Sequence, residues 1–263
     1  MDKKLKRMTC SLVVLLVNHQ RNFHISSRLE TTNWKEWNDM WENSNIERMN
    51  RNEDRNMCSE YVGKQRPRIY LAGPEVFLRN AIEIGERKKA LCAKYGFEGV
   101  FPIDAELDVR KLSPREAGLR ISATNERLIR GCNLLIANIT PFRGPSADVG
   151  TAYEMGFARG IGLKVCAYTN IMTPFTERTV RSLSSYVNRD KNGVLRDGKD
   201  MVIEEWGLVD NLMLDGSIYS SEGILAIENA PEEELFTYLG GFEKCLQYFE
   251  KILLVPKSTE SLK

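Results

Sequence analysis

From Arg68 onward, short runs of almost uninterrupted apolar residues alternate with longer stretches of helical character, and this alternation fixes the class of fold. Arg68-Ile-Tyr-Leu-Ala72 is β-branched and aromatic, ends at Gly73-Pro74 and gives way to a helical segment reaching about Tyr95. Gly99-Val-Phe101 predicts a second strand, followed by a polar loop with Asp104, Glu106 and Asp108. Ser113-Pro-Arg-Glu116 has capping-box spacing with proline at the first helical position, so a helix is expected through Ile121 and Leu128 to about Arg130. Leu134-Leu-Ile-Ala137 predicts the most apolar strand, Ala152 to Arg159 a small-residue-rich helix, and Lys164-Val-Cys-Ala-Tyr168 another strand. Strands without polar alternation have both faces buried, as in a parallel sheet covered by helices. The expected fold is therefore α/β: a doubly wound, flavodoxin-like or Rossmann-like domain with a roughly five-stranded parallel sheet and helices on both faces. Beyond Thr169 the pattern weakens through a polar stretch to Gly207, and a last helix is expected from about Pro231 to Leu254.

The chain of 263 residues, 42% of them hydrophobic, suffices for one sizeable core and is short for two. Residues 1–66 read as an extension, 67–255 as the one folded domain and 256–263 as a tail. The extension carries both histidines, three of the four tryptophans and little sustained apolar periodicity. Its start, Lys3-Lys-Leu-Lys-Arg7 followed by Ser11-Leu-Val-Val-Leu-Leu-Val17, imitates a signal peptide. The apolar run is far below the roughly 18 residues of a membrane span, and no small-x-small cleavage site follows. A cleaved targeting segment and a structureless start both remain open. Trp34, Trp37 and Trp41 recur at helical spacing and suggest a short amphipathic helix.

Several classes of function are disfavoured by what the chain lacks. A formal net charge of +1 supplies no field to attract nucleic acid or an anionic membrane, and a small neutral ligand fits better. The six cysteines are scattered without a C-x-x-C pair and read as buried free thiols in a reducing, cytoplasmic setting, with organelle targeting by the extension left open. Both histidines, His19 and His24, precede the domain, which argues against a histidine triad and a histidine-ligated metal there. Neither G-x-G-x-x-G after the first strand nor a P-loop motif occurs, and Gly160-Ile-Gly162 reads as a helix C-cap, so no dinucleotide or nucleoside triphosphate cofactor is expected.

In open α/β sheets ligands bind at the carboxyl ends of the strands, which directs attention to the segments after Ala72, Asn138 and Tyr168. The most informative runs from Ala137 to Gly156: a strand, a Gly/Pro-bent loop, then a helix. It places Asp148 on the loop and Glu154 about one turn into the helix. Two carboxylates in one site are the minimum equipment for glycosidic chemistry, and a separation of about 5 Å favours retention. The helix N-terminus is expected to help keep Glu154 ionised, as a nucleophile requires. The plainer alternative is that Thr151-Ala-Tyr-Glu154 is another capping box and Asp148 loop punctuation.

Three ordered blocks tip this balance. Tyr70-Leu-Ala-Gly-Pro74, the stretch Ala137 to Gly156, and Trp206-Gly-Leu-Val-Asp-Asn-Leu-Met-Leu214 resemble the signature blocks of the nucleoside 2-deoxyribosyltransferases, a resemblance covering about residues 67–215. By that resemblance Glu154 is the nucleophile, Tyr70 the tyrosine whose hydroxyl orients it, and Asp148 the acid that contacts and helps protonate the departing base. Asn211 resembles an asparagine that reaches a neighbouring subunit's sugar 5′-hydroxyl, implying a homo-oligomer with shared active sites. Asn125 falls where some members carry an aspartate for the 3′-hydroxyl, and an amide there could still hydrogen-bond. Gly73 belongs to the first block and is a candidate for substrate contact. Read from residue type alone, Tyr70 also fits ordinary core and Asn211 an ordinary turn. Phe142 and Arg143 either stack on the base or shape the loop, and Asp104 is a minor candidate for the site.

The implied reaction is double displacement between 2′-deoxynucleosides and free nucleobases, with no metal or organic cofactor. A hydrolase in which water resolves the same ester is the near rival, including N-glycosidases of nucleoside monophosphates. The acidic Glu75 in the first loop disfavours a phosphate. A non-catalytic nucleoside-binding protein is the rival of another class.

Overall fold

The computed structural model describes residues 66–105, 108–183 and 186–253. The expectations placed on the extension, including the tryptophan helix, and on the tail fall outside the described residues apart from Arg66 itself.

Five strands form one parallel sheet: β1 (Arg68–Ala72), β2 (Glu98–Val100), β3 (Leu134–Asn138), β4 (Lys164–Thr169) and, last in sequence, β7 (Leu225–Ile227), in the order β2-β1-β3-β4-β7. Between β4 and β7 lies a small antiparallel hairpin of β5 (Asn188–Arg189) and β6 (Leu195–Arg196). The helices are α1 (Ala81–Lys94), α2 (Pro114–Arg130), α3 (Val149–Gly160), α4 (Phe175–Ser182), α5 (Leu212–Ser220) and α6 (Gly240–Leu253).

The sheet is covered twice, and strand parity decides by what. Tyr70, Ala72, Leu135, Ala137, Val165 and Ala167 pack with Ile129 of α2, Met155 and Ala158 of α3 and Ile218 of α5. The alternate residues Ile69, Leu71, Leu134, Ile136, Cys166 and Tyr168 pack with Cys92 of α1 and Phe242, Cys245 and Phe249 of α6. All five residues of β3 are buried, as a central strand with no polar alternation must be. Cys92, Cys132, Cys166 and Cys245 are buried free thiols, as expected.

The chain order reverses around β1, whose neighbours are β2 on one side and β3 on the other, in register Tyr70 with Leu135 and Ala72 with Ala137. This reversal opens a crevice at the carboxyl ends of β1 and β3. The Gly73 loop and the 139–148 loop both leave the sheet there.

Two boundaries differ from the sequence reading for visible reasons. Helix α3 begins at Val149, three residues before Ala152, because Asp148 caps it. Helix α6 begins at Gly240, well after Pro231: the Asn170 amide donates to the carbonyls of Leu235 (2.8 Å) and Tyr238 (3.0 Å), removing two acceptors a longer helix would need. Among the described residues no helix is long and apolar enough to cross a membrane.

Candidate active site

Tyr70 is the third residue of β1, and parity turns it toward α3. Its hydroxyl donates a 2.5 Å hydrogen bond to Oε1 of Glu154. The plainer reading of Thr151–Glu154 as a capping box therefore fails: the cap of α3 is Asp148, whose Oδ2 accepts from the Thr151 amide (3.0 Å) and the Thr151 hydroxyl (3.3 Å). Glu154 is the sixth residue of the helix, in its second turn, and its carboxylate turns to the sheet.

That depth reverses one expectation. The N-terminus of α3 does not hold Glu154 at an ordinary carboxylate value; burial pushes it up to about 7, against the lowering effect of the Tyr70 hydrogen bond and with a further rise from the charge of Asp148. Burial, then the neighbouring Glu154 charge and hydrogen bond, hold the Tyr70 phenol protonated far above its usual range. The pair is thus a carboxyl group that ionises near neutrality and a fixed proton donor to it.

A stability consequence follows with a definite sign. Between the usual 4.5 and about 7 the folded chain binds a proton on Glu154 that the unfolded chain has released, so this residue lowers stability as pH rises through that window. At pH 8 the cost approaches ~3 kcal/mol as an upper bound, falling below about 1 kcal/mol at pH 5. Glu154→Gln, which keeps an acceptor for Tyr70, is expected to raise Tm by several degrees at pH 8 and to lose most of that gain at pH 5. Equal gains at both pH values, read by thermal denaturation, would show that ionisation of the half-buried carboxyl is not their cause.

The loops that follow β1, β3 and β7 bring aromatic rings together. Phe77, after β1, stacks on Phe142, after β3, at 5.3 Å between centroids and 10° between planes. Phe236, after β7, meets Phe142 edge-on at 5.9 Å. Arg143, held at φ 55, lays its guanidinium over the rings of Phe142 (4.6 Å) and Phe77 (5.2 Å). Phe77 is 56% exposed, so the stack presents ring surface to solvent at the strand ends. Phe77 and Phe236 escape the sequence reading. The first sits in the Gly73–Phe77 loop, where its place after β1 is a usable signal; the second follows a strand the sequence pattern does not show.

Gly73 is required by its neighbours: a Cβ there would lie 2.0 Å from Glu75 Oε2 and 2.9 Å from Asn138 Cβ. Glu75 itself is fully buried, paired with the equally buried Lys88, and accepts from Asn138 Nδ2 (3.1 Å) and Tyr168 Oη (2.8 Å). Contrary to the sequence reading, Glu75 does not weigh against a phosphate, because its charge is compensated inside the protein. Asp104 is likewise engaged elsewhere, with Lys89 at 3.0 Å.

The remaining candidates are placed less centrally. Asn125 is half-buried on α2, and its amide makes no hydrogen bond among the described residues. Asn211 caps α5, accepting from the Met213 amide at 3.0 Å, and donates to Glu204 at 2.6 Å. Its turn role is real, and it is also held in one orientation. Among the described residues no group of three or more His, Cys, Asp or Glu is placed to hold a metal. A separate hollow of about 640 Å3 opens at the amino ends of β1 and β2, lined by Arg66, Arg68, Lys89, Phe97 and Glu98. It lies away from the carboxylates, and Arg68 and Lys89 already pair with Glu98, Glu86 and Asp104.

A family model described as nucleoside 2-deoxyribosyltransferase matches residues 69–213. An uncharacterized protein of Schizosaccharomyces pombe is 30% identical over 181 residues, covering 65% of this chain and 86% of its own. Among solved structures, a 2-deoxyribosyltransferase from Leishmania mexicana is 23% identical with a TM-score of 0.46, covering 70% of this chain and 97% of that one. A 2-deoxyribosyltransferase from Bacillus psychrosaccharolyticus is 17% identical with a TM-score of 0.35, covering 62% and 99%.

Proposed function

This chain belongs to the nucleoside 2-deoxyribosyltransferase family, and from that premise we propose that it transfers 2-deoxyribose between nucleobases by double displacement on Glu154. The observation that carries the proposal is the 2.5 Å bond from Tyr70 to Glu154, with Asp148 capping the same helix.

In the first step an oxygen of ionised Glu154 forms a bond to C1′ while the C1′–N bond breaks. The bonding pair leaves with the base, which Asp148 assists with a proton. In the second step a nitrogen of the incoming base attacks C1′ and gives its N–H proton to the carboxylate that the first step left on Asp148, while the ester C–O bond breaks and its pair returns to Glu154. Two inversions give net retention. Tyr70 orients the carboxylate without competing for its charge, because its own proton is held. The Phe77, Phe142 and Phe236 wall offers flat apolar surface on which a free base can wait, and such pre-positioning confers effective molarities of about 10⁵ M or more, against roughly 55 M for water.

Products distinguish transfer from hydrolysis. Incubated with deoxyinosine and adenine, the protein is expected to make deoxyadenosine faster than free deoxyribose, with ping-pong kinetics. Fast deoxyribose release indifferent to any acceptor base would leave a hydrolase.

The proposal extends to a homo-oligomer with shared sites. Leu119, Ile121, Val149, Tyr153 and Met213 expose apolar side chains on the neighbouring helices α2, α3 and α5, a face suited to a second copy that brings Asn211. Mixing inactive Glu154→Ala with inactive Asn211→Ala subunits is expected to restore measurable turnover. A fully active monomer at assay concentration would overturn this part.

A further inference from the structure

The two loops that carry Asp148 and Asn211 have little regular hydrogen bonding of their own, and a buried charge cluster supplies it. Arg178 enters from α4 and is 8% exposed, while Asp210 is fully buried. Its guanidinium donates from Nε to the Pro145 carbonyl (2.7 Å), from Nη1 to the Thr173 carbonyl (2.6 Å), and from Nη2 to the Val209 carbonyl (2.8 Å) and Asp210 Oδ2 (3.1 Å). Asp210 returns the connection: Oδ2 accepts from the Ala147 amide (3.1 Å), and Oδ1 from the Ser146 hydroxyl and the Asn211 amide (2.7 Å). Asp215, from α5, closes the back by accepting from the Val209 (3.2 Å) and Asp210 (3.0 Å) amides.

The two loops are thereby fixed to each other through one ion pair. Ala147 immediately precedes Asp148, and Asn211 immediately follows Asp210. A planar guanidinium with donors in a rigid fork can satisfy three carbonyls and a carboxylate at once, which a lysine cannot. Neither residue is placed to touch a substrate, so any effect on chemistry runs through the residues they hold.

We propose that Arg178 and Asp210 are positioning residues, holding Asp148 in this subunit's site and Asn211 where it reaches the site of the neighbouring copy. The proposal rests on the transferase reading for its kinetic consequence and on geometry alone for its structural one. Asp210→Asn keeps shape and removes the charge; Arg178→Lys keeps charge and removes the fork.

Displacement of an acid by about 1 Å costs on the order of 100-fold in rate, so both variants lose that much kcat per folded molecule. KM for deoxyinosine rises as well, by up to about tenfold, because the loosened Asn211 is the residue proposed to meet the sugar 5′-hydroxyl. Independently of turnover, hydrogen exchange by NMR reports on the two caps: the Thr151 amide is held by Asp148 and the Met213 amide by Asn211. Exchange at both quickens about tenfold or more while amides of β3 and β4 stay protected. Should Asp210→Asn fail to fold, Ser146→Ala removes a single bond to Asp210 and gives the same ordering at smaller amplitude.

Unchanged exchange at Thr151 and Met213, or a kcat loss that merely tracks the unfolded fraction, overturns the proposal. A wild type that turns over no deoxynucleoside overturns the transferase reading instead, and the exchange result then decides the positioning claim by itself.

Discussion

Glu154→Ala is expected to lower turnover of a 2′-deoxynucleoside by at least about 10⁴-fold, because removing the proposed covalent nucleophile abolishes both half-reactions. The fold is expected to survive. Truncation leaves the buried Tyr70 hydroxyl without its acceptor, at a cost of about 1–3 kcal/mol, but it also removes a carboxylate whose ionisation burial already opposes. The two effects are of similar size and opposite sign. Circular dichroism and Tm near wild type, together with the lost rate, would assign the loss to chemistry. Turnover within tenfold of wild type would end the assignment of Glu154.

The second large effect concerns Asp148, which has two separable duties. It caps α3 through Oδ2 and, in the proposed reaction, hands the departing base its proton; its charge in the free protein also raises Glu154's pKa. Asp148→Ala removes both and should cost about 1 kcal/mol of stability along with activity. Asp148→Ser retains a good cap but has no acid, so stability is held while turnover falls by about 10²–10⁴, the range of general acid catalysis. The fall should be steepest for donors whose base leaves poorly without a proton. With the Asp148 charge gone, the rise of kcat/KM with pH, set by ionisation of Glu154 from about 7, should also shift toward lower pH. Steady-state kinetics across pH and thermal denaturation read both duties, and a serine variant with near-normal turnover would show that Asp148 is a cap alone.

Much of the architecture is legible in the sequence because the central strands are apolar without interruption. Leu134–Asn138 and Lys164–Thr169 announce themselves, and Ser113-Pro-Arg-Glu116 forms the expected capping box, with the Ser113 amide donating to Glu116 at 3.0 Å. β7 does not. It is three residues long, at the sheet edge, and depends on Gly223, where a Cβ would lie 1.8 Å from the Val165 carbonyl. The β5–β6 hairpin has two-residue strands, too short for alternation to show, and is held instead by Asp190 and Arg196 at 2.8 Å.

The candidate site divides along the same line. Tyr70, Asp148 and Glu154 can be singled out because their motifs are local, and parity across β1 places the first against α3. Glu75 misleads in the sequence because its partner Lys88 comes into range only when α1 folds back over the loop. The Arg178 cluster joins residues about thirty apart, with no local pattern to reveal it. The ionisation of Glu154 is not legible either, since a helix terminus acts over its first turn, whereas Glu154 lies in the second and burial dominates.

If the sugar is carried on Glu154, the intermediate can be trapped there. Mass spectrometry of acid-quenched, protease-digested protein, after mixing with excess deoxynucleoside and no acceptor base, tests this directly. The expected result is a deoxyribosyl adduct on the peptide containing Glu154, lost on addition of adenine as deoxyadenosine appears, and absent from Glu154→Ala. Steady release of base with no adduct on that peptide, or an adduct on another residue that turns over at the same rate, would contradict it.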